Sequence, residues 1–141
     1  MPITDPDSLH QILASARVIA VVGYSDHPDR ASYQIGQMLR QVGYTVYPVN
    51  PLLKEVDGLA CYASLAEVPE PVEIVNVFRR AEFLAGIVDE AAAIGAKAVW
   101  GQFGVASDAA ARRAEQVGMP LVMDRCIKIE YFSLGITQRQ P

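Results

Sequence analysis

Val18-Ile19-Ala20-Val21-Val22-Gly23 is the stretch that decides the fold. Five consecutive apolar residues, three of them valine, stop at a glycine. A strand with one face in water alternates apolar and polar residues, whereas an unbroken apolar run reads as a strand covered on both faces. The next apolar positions, Ile35, Met38, Leu39 and Val42, fall at i, i+3, i+4 and i+7. That spacing predicts a helix over 29–43, with Gly43 at the C-terminal stop. A second strand follows at 45–49 and is closed by Asn50-Pro51. Pro48 lacks a ladder donor, which suits a strand end or a bulge.

Upstream of this unit, Thr4 or Asp5 is positioned to cap a short helix that has Pro6 at its first position. Leu9, Ile12, Leu13 and Ala16 fall on one face of it. Downstream, residues 50–72 read as irregular, punctuated by Pro51, Gly58, Pro69 and Pro71, with one helical turn at 64–67. A third strand is expected at 73–78. Phe83, Leu84, Ile87, Val88, Ala91 and Ile94 mark the next helix, stopped by Gly95. A fourth strand at 96–100 ends at Gly101. Ser107 or Asp108 caps a further helix that runs through Ala114 and Val117 to Gly118. A fifth strand is expected at 120–123, with Asp124 as the cap of a terminal helix, and 137–141 read as frayed. This alternation predicts an α/β fold: one Rossmann-like, doubly wound domain over 1–141, with about five parallel strands and helices on both faces.

Composition narrows the function. Among 141 residues, 51% are hydrophobic and 20% charged, which is globular rather than disordered usage. Twelve Lys and Arg against sixteen Asp and Glu give a net charge of −4. Binding to nucleic acid depends on neutralising phosphates, so an acidic chain without a basic run argues against it, while leaving room for a compact cationic pocket. The two cysteines, Cys61 and Cys126, form no CxxC, so free thiols in a reducing cytoplasm are expected. The first residues show no basic and apolar leader pattern, and no apolar run approaches a membrane span, so neither a signal peptide nor a membrane partner is expected.

In a doubly wound sheet, ligands bind outside the carboxyl ends of the strands. The first such loop, 23–30, turns at Gly23 and leads into a helix whose exposed amides suit a phosphate. As a GxGxxG fingerprint it is poor, because Ser25 and Pro28 stand at glycine positions. The plain alternative is an ordinary strand–helix turn. At the end of the second strand, a nicotinamide site usually presents a carboxylate to the ribose, but Asn50 stands here. A neutral amide bonds a ribose or adenine edge without repelling a phosphate on the ribose; the plain alternative is a simple Asn-Pro turn. The third loop sets Arg79 and Arg80 at a strand end, with Lys54 and Arg30 available to join them. Guanidinium groups fork onto phosphate, so a polyanionic ligand is the sharper reading; solvation, or pairing with Glu82, is the plainer one. In the fourth loop, glycines flank Gln102 and Phe103 and permit close approach of a ligand, which adds Gln102 to the candidate contacts. Trp100 and Phe103 suit the wall of a flexible apolar arm; the plain alternative is that Trp100 is core.

The catalytic inventory is thin. His10 falls in the leading helix and His27 in the first loop, and no HExxH, GxSxG or GxxxxGK[ST] occurs. No catalytic residue and no metal ligand is assigned. Cys126, at a helix start beside Arg125, fits either a reactive or a structural thiol.

Taken together, these loops resemble the small stand-alone CoA-binding proteins, whose domain is also the N-terminal domain of the succinyl-CoA synthetase alpha subunit. The matching stretches are Val21-Val22-Gly23-Tyr24-Ser25 with Pro28-Asp29-Arg30, Tyr47-Pro48-Val49-Asn50-Pro51, Val77-Phe78-Arg79-Arg80, Trp100-Gly101-Gln102-Phe103-Gly104, and Met123-Asp124-Arg125-Cys126-Ile127-Lys128. The resemblance implies a Rossmann-like fold and coenzyme A as ligand. It also implies that Gly23, Tyr24 and Ser25 meet the diphosphate with support from Arg30, that Val49, Asn50 and Pro51 line the adenosine pocket, and that Val77, Phe78 and Arg79 line the path of the nucleotide and pantetheine. The synthetase's glycine-rich loop is poorer in glycine here, and its phosphorylated histidine belongs to a second domain, so synthetase activity is not carried over.

The expected function is therefore a non-catalytic binder of CoA or acyl-CoA, acting as a carrier, sensor or subunit, with homo-oligomerisation left open. The competing readings are an NAD(P)-dependent oxidoreductase or redox-sensing regulator, resting on sheet topology alone, and an acyl- or thiol-transfer enzyme using Cys126.

Overall fold

All five residues of β1 (Val18–Val22) are buried, as an unbroken apolar run demands. The computed structural model describes residues 1–136, so the expected frayed tail lies outside the described residues. Around β1 are α1 (Pro6–Ser15), α2 (Ala31–Gln41), β2 (Thr45–Val49), β3 (Glu55–Val56), β4 (Leu59–Ala60), β5 (Ile74–Val77), α3 (Leu84–Ala93), β6 (Ala98–Gly101), α4 (Asp108–Val117), β7 (Leu121–Val122) and α5 (Ile127–Ser133). Single 3-10 turns sit at Leu65–Glu67 and Ala81–Phe83.

The main sheet runs β2-β1-β5-β6-β7, and every pair in it is parallel. The Rossmann-like expectation of five parallel strands therefore holds. From β1 the chain adds β2 on one side and then crosses to β5 on the other, which puts the switch point beside the end of β1. Successive side chains of β1 feed opposite faces. Ile19 and Val21 join Leu9, Leu39 and Ile127 from α1, α2 and α5. Ala20 and Val22 join Leu84, Val88 and Ala110 from α3 and α4.

Caps set several element boundaries. Asp5, not Thr4, caps α1 by accepting from Ser8 N at 2.9 Å. Ser107 caps α4 by accepting from Ala110 N at 3.1 Å. The helix expected from residue 29 starts at Ala31, because Arg30 N donates back to His27 O at 3.0 Å and closes a turn first. Asp124 does not cap α5. Its carboxylate accepts from Gly104 N at 2.7 Å, and Cys126 takes the capping position. Pro48 makes no bulge; it sits in register opposite Val21 in β2, the edge strand.

The stretch 50–72, expected to be irregular, contains an antiparallel hairpin. Val56 pairs with Leu59 and Glu55 with Ala60. The two turn residues, Asp57 and Gly58, have φ of +51° and +82°. Two left-handed residues in sequence form the tight turn whose twist matches paired strands, and Asp-Gly is a preferred pair for it. Asp57 also pins the hairpin to α2, because its carboxylate accepts from Tyr33 Oη and from Gln37 Nε2, the latter at 2.9 Å.

Candidate functional site

The site forms where the chain leaves β1. Gly23 has φ +88°, and its N–H donates to Val49 O at 2.8 Å. A Cβ at this position would sit 2.5 Å from Phe78 O. Glycine is thus required twice, for the left-handed backbone and for the close approach of the loop after β5. A bulkier residue here disrupts the junction of three strand ends before it meets any ligand.

A cleft of about 450 Å³ opens at this junction. Gly23, Ser25 and the turn into α2 form one wall, including Asp26, His27 and Arg30. Asn50, Leu52 and Leu53 form another, and Phe78 completes the lining. The first wall is held from within: Ser25 N donates to Ser32 Oγ and His27 N to Ser25 Oγ, both at 3.0 Å. No side chain among the described residues caps the N-terminus of α2. The first amides of a helix lack intrahelical acceptors and carry the positive end of its dipole. With Arg30 at the N-cap position, this wall suits an anionic group.

Asn50 ties the two walls together. Its Nδ2 donates to Tyr24 O and its Oδ1 accepts from Leu52 N, each at 2.9 Å. Its backbone N–H donates to Tyr62 O at 2.9 Å. The side chain expected to read a ribose or adenine thus holds both lining loops in place.

Of the candidate contacts, the structure brings Gly23, Ser25, Arg30, Asn50 and Phe78 to the cleft. Val49 and Val77 are buried strand residues packed toward α3 and α4. Pro51 and Lys54 are exposed beside the cleft-lining Leu52 and Leu53. Arg79 passes close to Gly23, its Cδ lying 3.4 Å from where a Gly23 Cβ would stand. Its guanidinium rests 4.4 Å from the Phe83 ring centroid, and that of Arg80 rests 5.6 Å from it. Arg80 also lies 3.8 Å from Glu82, on the surface.

Two expected contacts are directed elsewhere. The Tyr24 side chain is fully buried against Gly36 of α2, and burial pushes its hydroxyl above the ordinary tyrosine range. Only its backbone carbonyl reaches the Asn50 tie. Gln102 is buried between β5 and α5, where its Oε1 accepts from Asn76 Nδ2 at 3.0 Å and from Ile127 N at 2.9 Å. Both side chains serve the scaffold beneath the loops. Trp100 is buried, as the plain alternative has it, and its Nε1 donates to Arg125 O at 2.9 Å.

Sequence reasoning did not single out Leu52 and Leu53 as a wall. The Asp57-Gly58 hairpin signal two residues beyond Glu55 is the clue that this segment folds back. Both cysteines are free thiols; burial pushes that of Cys61 up, and Cys126 is half-buried. Among the described residues no cluster of His, Cys, Asp and Glu is arranged to hold a metal ion, and no helix is long and apolar enough to cross a membrane.

A parallel sheet in this order, with a cleft at its switch point, puts the chain in the Rossmann-like α/β class. Residues 17–132 match the CoA binding domain family, and the chain belongs to that family. It is 38% identical over 123 residues to the uncharacterized protein YneT of Bacillus subtilis, covering 87% of this chain and 91% of that one. A solved structure of a hypothetical protein from Pyrococcus horikoshii superposes with a TM-score of 0.89 at 34% identity, covering 95% of this chain and 96% of that one. The alpha subunit of an ADP-forming acetate–CoA ligase of Pyrococcus furiosus is 29% identical over 124 residues. That match takes in 80% of this chain but only 27% of the subunit.

Proposed function

We propose that this protein is a stand-alone binder of coenzyme A or an acyl-CoA, working as a carrier, sensor or subunit without chemistry of its own. The observation that carries this reading is the cleft itself. In a chain of the CoA binding domain family, the uncapped start of α2 and Arg30 face the wall formed by Asn50, Leu52 and Leu53. An adenine nucleotide suits this pairing: its diphosphate takes the helix amides and guanidinium, and its base takes the leucines. Arg79, stacked on Phe83 beside Gly23, supplies a further cation at the rim. No carboxylate stands at residues 49–53 to accept from a nicotinamide cofactor's ribose, and Asn50 Oδ1 already accepts from Leu52 N.

Thermal unfolding of the protein with CoA, acetyl-CoA, NAD and NADP in parallel tests the reading. A ligand at a hundredfold excess over its dissociation constant adds about 2.7 kcal/mol of apparent stability. CoA and acetyl-CoA are expected to raise Tm. Stabilisation by NAD with none by CoA overturns the proposal. Native mass spectrometry of the purified protein then identifies what it carries.

A further inference from the structure

Three of the exposed large hydrophobic side chains stand on loops at the carboxyl edge of the sheet: Leu52 after β2, Phe83 after β5 and Phe103 after β6. Leu52 already lines the cleft, and Phe83 lies beneath the two arginines. Phe103 is 64% exposed, and the backbone beneath it is held by several hydrogen bonds.

Phe103 and Gly104 are the central residues of a turn closed by Val105 N donating to Gln102 O at 2.9 Å. Gly104 has φ +79°, as the second central position of a type II turn requires. Asp124, itself left-handed at φ +56°, accepts from Gly104 N through its side chain and donates its own N–H to Val105 O at 3.2 Å. Arg125 N donates to Gly101 O, also at 3.2 Å. A Cβ on Gly101 would lie 2.6 Å from Val105 O, so the turn folds tightly onto the end of β6. Below it, Gln102 is tied to Asn76 and Ile127. An isolated apolar side chain on a surface is ordinary. One at the tip of a turn braced from four sides, with a non-glycine residue in a left-handed conformation among the braces, is a presented side chain.

Its location indicates what it is presented to. β6 adjoins β5, and Gln102 N donates to Val77 O at 3.3 Å, so the Phe103 turn begins beside the residue that precedes Phe78. Phe78 lines the cleft. A ligand too long for the cleft therefore has an apolar stop one strand further along the same edge.

We propose that Phe103 receives the apolar acyl end of a bound acyl-CoA, so that the protein favours thioesters of longer acyl chains over free CoA. The proposal rests on the CoA reading above and names the ligand class within it. The occupant is the distal arm of the cleft's own ligand, because the exposed ring stands on the same edge of the sheet, one strand beyond the cleft-lining Phe78.

Calorimetric titration of CoA, acetyl-CoA, butyryl-CoA and hexanoyl-CoA into wild type, F103A and F103L tests it. A fully buried methylene strengthens binding about fourfold, so affinity is expected to rise at least about tenfold from acetyl- to hexanoyl-CoA. F103A should flatten that rise and leave affinity for free CoA unchanged, while F103L should keep part of it. Circular dichroism verifies that the variants are folded. CoA binding with no dependence on chain length overturns this inference alone. A rise that survives in F103A also overturns it. Binding of none of the four ligands overturns the CoA reading together with it. Sedimentation of the unliganded protein completes the test: a dimer dissociated by F103A would assign the ring to self-association and overturn the proposal.

Discussion

The ring of Tyr24 lies against the backbone of Gly36: a Cβ on that glycine would stand 2.2 Å from Cε2 and 2.5 Å from Cζ. Gly36 is in the middle of α2, where alanine would ordinarily stabilise a helix by about 0.5–1 kcal/mol. Here the sign reverses. The fully buried ring would have to shift to admit the methyl group, and overpacking of this kind costs about 1–3 kcal/mol. Gly36→Ala is expected to lower the urea midpoint, and G36A combined with Tyr24→Leu should recover part of the loss. A raised midpoint in G36A would show that the ring relocates without cost.

Asn50 joins the loop after β1 to the segment after β2. Asn50→Ala removes the donor to Tyr24 O and the acceptor for Leu52 N. At about 1 kcal/mol for each net bond, a loss of about 1–3 kcal/mol in unfolding free energy is expected. CoA affinity should fall as well, since both tied segments line the cleft. Denaturant titration and calorimetry on the same variant separate the two effects. Full affinity in a destabilised N50A would show that the walls keep their spacing without the tie.

Alkaline unfolding should report on Tyr47. Its hydroxyl donates to the Glu70 carboxylate, and that bond, with some burial, pushes its pKa up to about 12 from 10.0. A raised folded-state pKa means that the folded protein holds the proton more tightly than the unfolded chain. The associated stability is fully present below pH 10 and is lost as pH rises toward 12. Tyr24 and Tyr33 shift in the same direction, Tyr24 through burial and Tyr33 through its bond to Asp57. Thermal unfolding from pH 8 to 11.5 is expected to show Tm falling above pH 10, less steeply in Tyr47→Phe. Identical slopes would show that the Glu70 bond does not survive in solution.

Arg79 and Phe83 form the rim of the site. Arg79→Ala is expected to weaken CoA binding by about 1.5–3 kcal/mol, the range for a hydrogen bond to a charged group. Arg79→Lys should restore only part of this, because lysine lacks the planar fork. Raising the salt concentration should narrow the gap between wild type and R79A. Equal affinities at low salt would confine Arg79 to its packing on the ring.

The parts of this fold legible in the sequence are those with one dominant physical signal. β1, covered on both faces, appears as an unbroken apolar run, β5 as one interrupted by Asn76, and α2 carries one apolar stripe. Loop positions followed from topology, which is why Gly23, Ser25, Arg30, Asn50 and Phe78 were found together. Side-chain direction was not legible. Tyr24 follows a glycine at a strand end, where an aromatic side chain can turn outward to a ligand or back beneath the helix; the absence of a side chain at Gly36 decides the matter from twelve residues away. Gln102 lies between two glycines in a loop, yet it is drawn inward by Asn76 and by the amide of Ile127, which at the start of α5 has no acceptor within its own helix. The β3–β4 hairpin was hidden because two-residue strands carry no periodicity, although the Asp57-Gly58 pair marks its turn.

The segment between Asn50 and Tyr62 is anchored at both ends. Asn50 N donates to Tyr62 O, and Tyr62 N donates to Pro48 O at 3.0 Å. Its excursion therefore leaves the sheet and returns to nearly the same point. Its ends are held by the sheet and its middle by the bonds of Asp57 to α2, so a grafted replacement keeps the strand register only if it keeps these ties. Leu52 and Leu53 lie between those ties, so that wall of the cleft can be recomposed by substitution while the residues that fasten it stay untouched.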